Sequence, residues 1–124
     1  MSEHRLKHQP EAAGQARALA TDEAGGSLPP ADADAFLLMT TELVTNAVRH
    51  APPDADGNFT LKLEVTDTTA RAIVIDAGTE FEFERATFDA NTDNHFGLQF
   101  VDQLASRWGL SLDGEKAVWF ELDR

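Results

Sequence analysis

Thr41-Glu42-Leu43-Val44-Thr45-Asn46-Ala47-Val48-Arg49-His50-Ala51 decides the reading of this chain. It sets a carboxylate and a carboxamide four residues apart in an otherwise apolar helical segment. Side chains four apart project from the same helix face. A buried acid and a buried amide are costly without partners. Beside an apolar stripe, the pair marks a polar site at the edge of a core. On a helical wheel, Phe36, Leu37, Leu43, Val44, Ala47 and Val48 share one arc. Glu42 and Asn46 fall at its rim, with Met39 and His50 near Asn46.

The surrounding elements follow from this helix. Asp32 or Asp34 is its expected N-cap, and Pro52-Pro53 its stop. Residues 10–24 before it are rich in helix formers, with Pro10 at the start and Gly25-Gly26 at the end. Residues 1–9 are a polar N-terminal segment and a candidate edge strand. Downstream, Phe59, Leu61, Leu63 and Val65 alternate with polar residues, the period of a strand with one buried face. Asp67 to Ala70 reads as a turn. Ala72-Ile73-Val74-Ile75 is an apolar run expected of a central strand, broken by Asp76-Ala77-Gly78. Residues 79–96 lose periodicity and carry acids with Phe81, Phe83, Phe88 and Phe96, which predicts a functional loop. Gly97 opens a predicted helix through Leu98, Val101, Leu104, Ala105 and Trp108, with Gly109 as its cap. Leu110 to Leu122 predicts a hairpin turning at Asp113-Gly114. Trp108, Trp119 and Phe120 are expected in the core. The order predicts an α+β fold, a two-layer α/β sandwich. Its sheet would be antiparallel or mixed, with helices on one face, and residues 10–124 would form a single domain.

Composition narrows the function. The formal net charge of -12 argues against direct nucleic-acid binding, where basic patches supply affinity. An anionic ligand would need a divalent cation, backbone N–H groups or a local Arg. With no cysteine, disulfides, zinc-thiolate sites and thiol nucleophiles are excluded. The four His are scattered without metal-ligand spacing. No apolar run approaches the ~20 residues of a membrane span, and the N-terminus lacks the apolar core of a signal peptide. A cytoplasmic location with no membrane contact is the expectation.

These motifs, in this order, resemble the Bergerat-fold (GHKL) ATPases, most closely the small actinobacterial anti-sigma-factor serine/threonine kinases. The resemblance covers roughly residue 10 to the end. Glu42 to Ala51 looks like the family's N box, with Glu, Asn and Arg all in frame. Asp76-Ala77-Gly78 stands where the first Gly box begins, and the Leu98 to Trp108 segment followed by Val118-Trp119-Phe120-Glu121-Leu122 matches the close of the domain. The resemblance implies a domain that binds ATP with Mg²⁺. Asn46 would ligate the Mg²⁺ through its amide oxygen, and Glu42 would act as general base. Arg49 would contact phosphate, although its wheel position also suits a solvated surface Arg. Asp76 would accept from the adenine amino group, and Gly78 would let the base approach the backbone. Residues 79–96 would be the ATP lid, and Gly97 would begin a helix facing the phosphates. The implied partners are an antagonist (anti-anti-sigma) protein and a sigma factor, and a homodimer is compatible.

The sequence also departs from the pattern. Glu80 stands where the first Gly box often has its second Gly. His95-Phe96-Gly97 lacks one Gly of the second box. Ala117 occupies the region where many members carry a Thr or Ser supporting the adenine-binding Asp. Two further readings stay open: a nucleotide-binding module of the same fold without turnover, and an acidic protein-interaction domain. Without the resemblance, Glu42 and Asn46 could be exposed helix polars, and Asp76, Gly78 and Gly97 turn or helix-start residues.

Overall fold

The computed structural model describes residues 1–77, 98–111 and 115–124. The elements in order are β1 (Ser2–Lys7), α1 (Ala12–Ala24), α2 (Pro30–His50), β2 (Asn58–Val65), β3 (Thr69–Asp76), α3 (Leu98–Leu104), β4 (Arg107–Ser111) and β5 (Lys116–Asp123). The five strands form one sheet in the order β1-β2-β3-β5-β4, every neighbouring pair antiparallel. The helices pack on one face, so the chain is an α+β sandwich of two layers.

Alternation decides which face each strand residue meets. Phe59, Leu61 and Leu63 of β2, Ala70, Ala72 and Val74 of β3, and Val118, Phe120 and Leu122 of β5 are buried beneath the helices. Phe36 of α2 meets Phe120 edge to face at 5.9 Å between ring centres. From α1, Ala12, Ala16, Ala20 and Ala24 are buried. Four alanines at a spacing of four make a narrow smooth stripe, which lets α1 lie close against α2. Gly25 ends α1 in the left-handed region (φ 52°), where its N–H caps the Thr21 carbonyl at 3.1 Å.

The opposite face of the sheet carries Arg71, Ile73 and Ile75 of β3 beside Ala117, Trp119 and Glu121 of β5. Glu121 accepts from Arg107 at 2.9 Å and lies 3.4 Å from Arg71, tying β3, β5 and β4 together there.

Three expectations are corrected. Neither Asp32 nor Asp34 caps α2: its N-cap is Pro29, no side chain caps it, and Pro30 supplies the first turn. The third helix stops at Leu104, and Trp108 and Gly109 belong to β4. Trp108 and Leu110 pair with Phe120 and Val118 on the helix side, while Gly109 meets Trp119 on the other. A period of two over so short a stretch also fits a helical spacing, and cross-strand pairing resolves it. Trp119 is not core. It lies on the helix-free face, where its ring passes over Gly109, and a Cβ there would sit 3.2 Å from Cζ2.

Candidate functional site

α2 packs on β3 and β5, and its buried residues Phe36, Leu43, Val44 and Ala47 form the face it turns inward. Its end is held from the side by His8. The His8 Nε2 donates toward the carbonyl of Ala47 (3.1 Å), which also accepts from the Ala51 N–H, and toward that of Ala51 (2.6 Å), where the chain leaves the helix. The ring rests edge-on against Phe59.

Asn46 is buried at 6% exposure, deeper than the rim its wheel position suggested. Its Oδ1 has no hydrogen-bond partner among the described residues. Buried polar oxygens are nearly always partnered, so an orphan calls for an explanation such as an ion. Glu42, one turn earlier, is half-buried. His50, one turn later, is also half-buried and has its pKa lowered to about 4, first by loss of solvent, then by the charges of Arg49 and Lys116. α2 packs against β5, and the charge of Lys116 at the start of that strand bears on His50.

At that meeting point lies a buried ion pair. Asp76 closes β3 and stands directly across the ladder from Lys116. Lys116 Nζ is 3.3 Å from Asp76 Oδ1, and the two side chains are only 5% and 2% exposed. The strand pattern puts both on the helix side, in line with Val74 and Val118. Ala117 pairs with Ile75 and faces the other way. The position beside Asp76 is therefore Lys116, not Ala117. A shift of one residue along a strand reverses its face. The clue was present in β5: Val118, Phe120 and Leu122 are the inward set, and stepping back by two reaches Lys116.

Arg49 is exposed. It lines a groove of about 310 Å³ with Pro10, Ala13, Thr45 and Val48, between the start of α1 and α2. The structure pairs Asp76 with Lys116, whose charge bears on His50, and sets Arg49 toward the α1 side. A second cleft, of about 250 Å³, opens at the same end of the sheet. Its lining includes Asp76 and Lys116 themselves beside Arg5, Thr60 and Ile75 of the helix-free face, so the buried ion pair borders this cleft. Gly78, Gly97, Glu80, His95 and the expected lid at 79–96 lie outside the described residues.

A model of the histidine kinase-like ATPase domain matches residues 6–119. The chain belongs to that family. It is thus an ATP-binding domain of the GHKL superfamily, and the meeting of α2 with the end of β3 lies within the matched span. A search of curated proteins finds no match. No described helix is long and apolar enough to cross a membrane.

The residues present fit a divalent cation delivered with a nucleotide. Among the described residues no group of three or more His, Asp or Glu side chains is gathered as a metal cage. One hard amide oxygen, Asn46 Oδ1, suits Mg²⁺, which keeps its waters and takes its other oxygens from phosphates.

Proposed function

We propose that the chain is a regulatory serine/threonine protein kinase of the anti-sigma type, which binds Mg-ATP where α2 crosses the end of β3. The observation that carries the ATP site is the orphaned, buried Oδ1 of Asn46 on the same end of α2 that meets Lys116 and its partner Asp76. Asp76 accepts from the adenine amino group, and Gly78 admits the base near the backbone. Asn46 holds the cation, whose charge offsets the phosphate oxygens and the field of an acidic chain. Arg49 contacts phosphate, and Gly97 begins a helix toward it. Glu42 takes the proton of the acceptor hydroxyl as its oxygen bonds to the γ-phosphorus. The bond to the β–γ bridging oxygen breaks, and ADP leaves. The acceptor is a Ser or Thr of a small antagonist protein, and a sigma factor is a second partner. Residues 79–96 act as the lid over the phosphates, and residues 10–124 act as one cytoplasmic domain.

The test has two stages. Calorimetric titration with ATP should show binding that requires Mg²⁺. ATP labelled in the γ-phosphoryl group should then label an antagonist protein, and Glu42→Ala should abolish labelling while leaving binding intact. Binding without transfer by the unaltered chain would leave a nucleotide-responsive module without turnover. No binding at all would leave an acidic interaction domain.

A further inference from the structure

We infer that Lys116 and Asp76 read the base jointly: the carboxylate accepts from the adenine amino group while the ammonium donates to the adjacent ring nitrogen N1. The inference rests on the ATP-binding reading and adds a specificity-determining residue to it.

The two residues face each other across β3 and β5, with Nζ 3.3 Å from Oδ1 and both side chains almost fully enclosed. A charge-assisted contact of this kind is roughly twice as strong as a neutral hydrogen bond, and both residues line the cleft at this end of the sheet. The neutral adenine amino group cannot displace Lys116 from Asp76. A base that reaches Asp76 therefore meets the ion pair intact. A carboxylate only accepts and an ammonium only donates. Side by side, they present one acceptor next to one donor. Adenine offers the complement on its Watson–Crick edge, an amino donor at C6 next to an acceptor at N1. Guanine carries the reverse, an acceptor at C6 and a donor at N1. Held in one orientation, the pair selects adenine through two contacts, and Lys116 supplies the donor that Ala117, facing the other side of the sheet, does not.

The test uses ATP and 1-deaza-ATP, in which N1 is replaced by C–H, titrated calorimetrically in excess Mg²⁺ into the full chain, Lys116→Met and Lys116→Arg. The unaltered chain should bind 1-deaza-ATP roughly 10- to 100-fold more weakly than ATP, the range for a lost hydrogen bond to a charged group. Lys116→Met should bind the two with equal affinity, and Lys116→Arg should keep part of the gap. Equal affinity of the unaltered chain for both nucleotides overturns the inference while leaving ATP binding in place. An undiminished gap in Lys116→Met overturns it as well. If Lys116→Met fails to fold, the unaltered chain and Lys116→Arg still decide. Failure of the unaltered chain to bind ATP at all sinks the ATP reading itself, and this inference with it.

Discussion

Replacing Asn46 with leucine should separate stability from nucleotide binding. Asn46 Oδ1 is buried without a partner among the described residues. Leaving a buried acceptor unsatisfied costs about 1–3 kcal/mol. Leucine is close in shape, brings no acceptor, and joins an apolar stretch with Leu43 and Ala47, both buried. Allowing for imperfect repacking, the unliganded protein should gain about 1–2 kcal/mol. In a domain of this size each kcal/mol moves the melting midpoint by about 4 °C, so Tm should rise by about 4–8 °C. Mg-ATP at 100 times its Kd should add about 2.7 kcal/mol to the unaltered protein, a further shift of about 10 °C. Asn46→Leu should show none of that shift. Thermal unfolding followed by circular dichroism, with and without Mg-ATP, reads both effects. A variant that melts below the unaltered protein would show that Oδ1 is already satisfied. A variant that keeps the nucleotide shift would show that Asn46 does not hold the cation. Either result refutes the reasoning.

Three other substitutions have defined outcomes. His50 has a folded-state pKa of about 4 against an ordinary 6.5, so the unfolded chain binds more protons between those values. The neutral ring's contribution is present above pH 6.5 and is lost as pH falls toward 4. After allowance for solvent screening this is about 1–2 kcal/mol. Urea unfolding at pH 6.5 and 5 should show a drop that His50→Gln lacks; an equal drop in both would rule the residue out. His8→Ala removes the donor to the Ala47 and Ala51 carbonyls and should cost about 1–2 kcal/mol in urea; no loss would mean that water caps α2 equally well. Gly109→Ala sets a methyl 3.2 Å from the Trp119 ring, so in a Trp108→Phe background the emission should shift, with a stability loss of about 1 kcal/mol. Unchanged emission would show that the ring does not lie over Gly109.

What the sequence revealed depended on periodicity and length. The 21 residues of α2 hold enough turns for the apolar arc to locate both its buried face and the polar residues beside it. β2 was legible because it alternates cleanly, and β3 because of its apolar run Ala72 to Ile75, although β3 begins at Thr69, inside the stretch read as a turn. β4 was not, because five residues with Trp108 and Leu110 two apart do not distinguish a strand from the end of a helix. Cross-strand contacts that no local pattern contains settle that region. Lys116 was missed for a related reason. A charged residue at a strand start reads as solvated edge, and only the register against β3 shows that it faces Asp76. Asn46 was singled out by motif, and its orphaned oxygen is a fact of packing.

The charge balance gives a physical reason for the proposed site to be divided into a base end and a phosphate end. A chain with net charge -12 repels a triphosphate at long range, so affinity has to come from short-range contacts. At the proposed base end, the positive charge of Lys116 is matched by Asp76, and adenine is neutral, so nothing would be lost to the field. At the phosphate end, Asn46 presents an oxygen rather than an N–H in the orphaned position. An acceptor cannot bond to a phosphate oxygen, which is also an acceptor. The contact becomes favourable only with a cation between them. On the proposed site, nucleotide recognition would be a coincidence requirement: the base would be read by a self-neutralised ion pair, and the phosphates would be held only when Mg²⁺ comes with them.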